Sequence, residues 1–193
     1  MDLVRVKTCS GQSMTSFLSF GLGLLSDIDI GSEALRVLGE ARFFLFGFLC
    51  GISLKTYKTK VRYLRKGDTD WTLDEDDFVM IQSVVKPWLA ESLNMAGRHF
   101  ESLSDGVFWL FLVRKGISRR HLFSWMCTTE RGSLTDYPYV TAVPVTSVVI
   151  EPSRSCSGYM TVDGENVEFG RLEAEILPGH GNVMASSRIS AEK

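Results

Sequence analysis

The chain has 193 residues, of which 45% are apolar, enough to close one sizeable core. Its 21 Lys and Arg stand against 23 Asp and Glu, a net charge of −2 that supplies no basic field for a nucleic acid. The four cysteines, Cys9, Cys50, Cys127 and Cys156, are far apart and form no CxxC or Cys/His cluster, which argues against a disulfide framework or a zinc site and for reduced thiols in the cytoplasm.

The N-terminal Met-Asp-Leu-Val-Arg-Val-Lys alternates polar and apolar residues and lacks the apolar run of a signal peptide. Residues 3–8 and 14–20 flank a Gly11-Gln12-Ser13 turn and predict a hairpin. The segment Ser26-Asp27-Ile28-Asp29-Ile30 reads as an extended stretch with both carboxylates on one side, and Ser32 as the N-cap of a helix stopped at Gly39. Residues 41–54 predict a second helix. Their apolar run from Phe43 to Leu54 is well short of the roughly 20 residues that span a bilayer. Tyr57, Thr59, Val61 and Tyr63 alternate with Lys58, Lys60 and Arg62, the pattern of a half-buried strand.

The acidic stretch 65–77 reads as a linker, and 78–85 and 107–114 as apolar strands. Residues 118–130 predict a helix capped by Ser118 and stopped near Gly132, with Leu122, Trp125 and Met126 on one stripe. Short strands follow at 140–150, 158–162, 166–169 and 172–177. The sum is a mainly β (α+β) chain, an antiparallel β-sandwich with two or three embedded helices. Residues 1–181 form one domain and 182–193 a disordered tail.

Several motifs remain after this assignment. The run SDIDIGSEALRVLGEARF carries Asp29, Glu33, Arg36, Gly39, Glu40 and Arg42, and is followed by Thr56-Tyr57 and Tyr63-Leu64. Farther on come FLVRKGISRR (111–120), Tyr137-Pro138-Tyr139, Asp163-Gly164-Glu165 and Leu177-Pro178-Gly179. In this order and spacing they resemble the sphingosine kinases over nearly the whole chain. The resemblance implies the C-terminal, lipid-binding lobe of a two-lobe lipid kinase that uses ATP and Mg2+. The glycine-rich nucleotide loop and the catalytic base would belong to an N-terminal lobe. Neither a Walker A nor a GxGxxG motif occurs in the chain, and Ser104-Asp105-Gly106 reads as a turn.

By this resemblance Asp29 contacts the ammonium of sphingosine or a related sphingoid base, with Ser19 beside the headgroup. Leu25, Ile28, Phe43, Met80, Leu89, Phe111, Leu122, Trp125 and Met126 line the pocket for the tail, while Gln82 and Thr129 fall where the family tends to be apolar. Arg36 and Arg42 contact phosphates, converging through a break at Gly39; their alternative is pairing with Glu33 and Glu40 on a solvated face. Asp163, with Gly164 and Glu165, stands on the nucleotide or magnesium side, although Asp-Gly is also a plain hairpin turn. Leu45, Phe48 and Leu49 are either core or a docking patch for a membrane surface or a regulatory protein. His99, His121 and His180 share no motif and are expected at the surface. The protein is then cytoplasmic and recruited peripherally to membranes. The rival readings are a non-catalytic lipid-binding sandwich, or part of a ceramide or diacylglycerol kinase.

Overall fold

The computed structural model describes residues 1–39, 41–95, 100 and 102–184. Glu40, His99 and the last nine residues of the expected tail lie outside the described residues. The strands are β1 (Leu3–Lys7), β2 (Ser13–Ser16), β3 (Ser19–Gly23), β4 (Tyr57–Arg65), β5 (Thr72–Val84), β6 (Trp88–Ala90), β7 (Leu93–Asn94), β8 (Phe108–Arg114), β9 (Val140–Pro152), β10 (Met160–Val162), β11 (Glu165–Val167) and β12 (Leu172–Leu177). The helices are α1 (Leu24–Gly31), α2 (Ala41–Ser53) and α3 (Arg119–Met126), with a 3₁₀ segment over Ser32–Leu38.

All the strands except the small β6–β7 ribbon join one antiparallel sheet, in the order β11-β10-β3-β5-β4-β9-β12-β1-β2, with β8 bridging β5 and β9. β5 and β9 are 13 residues long, and each pairs with both β4 and β8 along different parts of its length. The layers of the expected sandwich are therefore one continuous sheet turned on itself. Its inner faces meet in a core that includes Val61, Phe78, Phe108, Leu110, Val145 and Ile150, all fully buried.

A second cluster lies between the sheet's other face and the helices: Leu24 and Ile28 of α1, Met80 and Val84 of β5, Phe111 and Val113 of β8, and Leu122 and Trp125 of α3. Alternation along β8, and along β5 beyond the irregularity at Phe78–Met80, sends successive side chains to the two clusters, so these strands build both.

Two sequence expectations change. Residues 24–31 are helix rather than extended, and Ser32, instead of capping a following helix, donates its hydroxyl to Asp29 O (3.1 Å) at the end of α1. The cause is tertiary: Leu24 and Ile28, four residues apart, are both buried in the helix-facing cluster, which overrides the modest helix propensity of the Asp-Ile-Asp-Ile run. Gly23 turns the chain straight from β3 into α1 at φ 95°, where a Cβ would meet Val79 O at 2.5 Å. The second change is that the acidic stretch is not a linker throughout, since β5 starts at Thr72. Its Asp77 and Glu75 lie opposite Lys58 and Lys60 of β4, and Lys60 bridges Glu75 at 3.6 Å.

The expected cap of α3 is present, Ser118 Oγ accepting from His121 N at 3.2 Å. The helix ends at Met126, shorter than the expected 118–130, and a 3₁₀ turn over Thr129–Arg131 leads to Gly132 at φ 61°. All four cysteines are free. No helix among the described residues is long and apolar enough to cross a membrane.

Candidate functional site

Because residues 24–31 are helical, Asp27 and Asp29 point to different sides instead of sharing one: two residues along a helix is about 200° of rotation. Asp27 takes the hydroxyl of Tyr57 on Oδ2 and the Tyr159 amide on Oδ1 at 3.4 Å. Burial raises its pKa, against the opposing effect of these bonds and of Lys55. Tyr57 is in turn pushed well up by its own burial and by Asp27. Ser26, one residue earlier, is buried against Gly21 O (3.2 Å) and Thr161 Oγ1 (2.8 Å). α1 is thus pinned to β3, β4 and β10, a role the sequence reading did not give to Asp27.

Asp29 is half-buried on the other side. Burial raises its pKa first, Arg42 pulls it back down, and Glu33 and Glu165 raise it further. Its Oδ2 would lie 3.6 Å from a Cβ placed on Gly164. The acid of α1, the arginine of α2 and the 163–165 hairpin therefore meet at one place. Arg42 Nη1 is buried there without a hydrogen-bond partner, and its guanidinium carbon lies 4.4 Å from the Phe43 ring centroid.

The hairpin is a two-residue turn with φ of 50° at Asp163 and 84° at Gly164, the left-handed pair that Asp-Gly tolerates. The Asp163 carboxylate does not project from the turn. Its Oδ1 accepts from Ser16 Oγ (2.7 Å), Leu18 N (3.0 Å) and Ser19 N (2.9 Å), and Oδ2 from Phe17 N (3.0 Å). Asp163 N donates to Ser19 O at 2.7 Å. Four donors thus reach this one carboxylate, three of them on Oδ1. Ser19 is held at the head of β3 by this residue.

Arg36 is not brought to the group. It pairs with Glu33 at 2.8 Å with its side chain 73% exposed, the solvated-face alternative. Gly39, at φ 58°, does end the 3₁₀ segment between the two arginines. Eight of the nine expected tail-lining residues, Leu25, Ile28, Met80, Leu89, Phe111, Leu122, Trp125 and Met126, belong to or pack against the helix-facing cluster. Phe43 is the exception; it is 38% exposed and stands outside that cluster. Gln82 is only 3% exposed, whereas Thr129 donates to Ser92 O at 2.7 Å on the surface.

A cleft of about 530 Å³ opens at the cluster's edge, between Leu54, Val79 and Ile117 and the cationic Lys115, Arg119 and Arg120. Leu45, Phe48 and Leu49 are 45%, 46% and 51% exposed, so they are not core. Phe48 stacks on Phe123 of α3 at 5.1 Å, leaving the rest of the ridge open. His121 and His180 are exposed, as expected. Among the described residues no His, Cys, Asp and Glu group has metal-ligand geometry.

This fold recurs in part of two solved bacterial structures. A diacylglycerol kinase from Bacillus anthracis superposes with a TM-score of 0.57 at 14% identity, over 93% of this chain and 51% of that one. A second protein from the same organism, assigned as a diacylglycerol kinase, gives 0.63 at 16% identity over 93% and 55%. No family profile matches. In sequence, the chain is 30% identical to human sphingosine kinase 1 over 93% of its own length and 54% of that protein. It is 48% identical to Caenorhabditis elegans sphingosine kinase 1 over 96% and 52%. The chain is homologous to the C-terminal part of these sphingosine kinases and spans about half the length of the relatives it matches.

Proposed function

We propose that this chain supplies the lipid-holding half of an ATP-dependent kinase that phosphorylates the primary hydroxyl of sphingosine or a related sphingoid base. The observation that carries the reading is the meeting of Asp29, Arg42 and the 163–165 hairpin at the edge of the helix-facing apolar cluster. An acid whose pKa burial raises despite a neighbouring arginine is short of positive charge, and the ammonium of a sphingoid base meets that shortage. The neutral headgroups of ceramide and diacylglycerol do not.

Each part of the ligand then has a partner. A dozen buried methylenes contribute on the order of 10 kcal/mol before ordering costs, at about 0.8 kcal/mol each. The charge-assisted bond to Asp29 adds about 1.5–3 kcal/mol and selects the amine. Ser19 borders the headgroup, and Leu25, Ile28, Met80, Leu89, Phe111, Leu122, Trp125 and Met126 enclose the tail.

Arg42, with a buried nitrogen that lacks a partner, suits an anionic phosphate of ATP and favours a kinase over a passive lipid carrier. Arg36 reaches the same phosphates only by leaving Glu33. Glu165 and Gly164 face the nucleotide side, and Asp163 serves it by fixing the hairpin and the 16–19 loop. Magnesium, which neutralises phosphate charge in such transfers, finds its principal ligands outside this chain, as do the base and the glycine-rich loop. The exposed Leu45, Phe48 and Leu49 ridge rests on a membrane surface or a regulatory protein and recruits a cytoplasmic enzyme to its water-insoluble substrate.

Two measurements test the reading. Sphingosine in mixed micelles should quench the tryptophan fluorescence of the chain, and Asp29→Asn should weaken binding about tenfold or more while leaving the circular dichroism unchanged. Unaltered binding by that variant removes Asp29 from its role. With MgATP the chain alone should transfer no phosphate, and measurable turnover would place the base within it.

A further inference from the structure

Gln82 sits where an alkyl pocket calls for an apolar side chain. Its neighbours in alternation on β5, Met80 and Val84, both belong to the helix-facing cluster, and so does Phe111, directly opposite it on β8. Gln82 therefore presents its amide to the face where the lipid tail lies. On its other flank it is opposite Gly21 of β3, and a Cβ on Gly21 would lie 3.0 Å from Gln82 Oε1. The glycine leaves the room in which that oxygen rests.

The side chain is 3% exposed, and Oε1 has no hydrogen-bond partner. The amide nitrogen reaches only Ser83 O, at 3.5 Å. A buried acceptor without a donor is costly and uncommon. The same cluster holds a second unmet atom, the indole Nε1 of Trp125, whose side chain is 1% exposed. An acceptor that lacks a donor, such as Gln82 Oε1, is the complement of a hydroxyl group, which has a hydrogen bond to give.

We propose that Gln82 is a specificity-determining residue that binds a hydroxyl on the ligand's chain just beyond the amino-alcohol headgroup, so that the pocket prefers a 4-hydroxylated sphingoid base to a plain one. The proposal rests on the reading that Asp29 and Ser19 hold the headgroup. Gly21, at the level of Gln82, is two residues along β3 from Ser19, about 7 Å at the usual rise per residue. That distance is spanned by a few carbon–carbon bonds and one hydrogen bond. A site built around a substrate hydroxyl discriminates far more sharply against the analogue lacking it than an apolar pocket does against an added methylene.

The test compares sphinganine with 4-hydroxysphinganine, bound by the full chain in the same micelles. The parent should bind the hydroxylated base at least about tenfold more tightly. Gln82→Leu should abolish that preference and bind sphinganine as well as the parent or better. Gln82→Met, of similar length and without hydrogen-bonding groups, gives the same reading if the leucine variant misfolds. Asp29→Asn should weaken both ligands alike and leave their ratio unchanged. Equal binding of the two bases by the parent, or a preference that survives both Gln82 variants, overturns the proposal. Loss of the Asp29 effect with the preference intact removes the headgroup assignment instead, and leaves Gln82 as the reader of a hydroxyl.

Discussion

Replacing Asp163 by alanine tests whether one carboxylate organises the 16–19 loop at the head of β3. The change removes the acceptor of Ser16 Oγ and of three consecutive backbone amides, Phe17, Leu18 and Ser19. Counted singly, four bonds to a charged group at about 1.5–3 kcal/mol each would exceed the stability of many domains. Three of them share Oδ1, however, the residue is half-buried, and water reaches the freed loop, so the joint loss is about 2–4 kcal/mol. Alanine at φ 50° adds about 1 kcal/mol of backbone strain that aspartate and asparagine largely escape.

Asp163→Asn keeps the turn and one acceptor oxygen and should cost about 1–2 kcal/mol. Urea unfolding followed by tryptophan fluorescence measures both variants. With a slope of about 2 kcal/mol per molar, the midpoint should fall by about 1.5–2.5 M for alanine and by less than 1 M for asparagine. An alanine midpoint within about 0.3 M of the parent at unchanged slope, or asparagine as damaging as alanine, would refute the reasoning.

Three further outcomes follow from the same geometry. The raised pKa of Asp29 means that the folded state holds its proton more tightly than the unfolded chain; the stability this contributes is present below the ordinary carboxylate range and is lost as pH rises through the folded value. Asp29→Asn should therefore gain in melting temperature relative to the parent as pH climbs from about 3 to 7, and a difference that is flat with pH contradicts the assignment. Changing Leu45, Phe48 and Leu49 together to serine should abolish co-sedimentation with sphingosine-containing vesicles while shifting stability by no more than about 1 kcal/mol, because all three are half exposed; retained sedimentation excludes the ridge as the docking face. Arg42→Ala should weaken ATP binding, measured calorimetrically on the chain fused to the N-terminal half of a sphingosine kinase, by about tenfold or more, with Arg36→Ala the milder variant; the reverse order would mean that Arg36 leaves Glu33 to take the phosphate.

Much of the fold was legible because period and punctuation agreed. The alternation through Tyr57–Tyr63, the Ser118 cap and the Asp163-Gly164 turn all mark real elements. The acidic start of β5 was not legible, since its carboxylates look like a solvated linker until Lys58, Lys60 and Arg114 are seen beside them. Nor was α1, a helix selected by what Leu24 and Ile28 bury. The site was half legible. Motif order located Asp29, Arg42 and the hairpin, but the direction of a side chain is not written in its spacing. The inward turn of Asp163, the solvated pairing of Arg36 with Glu33 and the pinning of Asp27 by Tyr57 all needed coordinates.

The 163–165 hairpin beside Asp29 lies at the thin margin of the sheet. β10 and β11 are three residues each, the last two ribbons outside β3, whereas β5 and β9 are braced from several directions. Such a border can breathe at small local cost while the grease-filled middle stays shut. A captured amine, bridging α1 to that border, would act as a clasp. The rim that chooses the lipid would be tightened by the choice, and slowed amide exchange over residues 160–167 would record it.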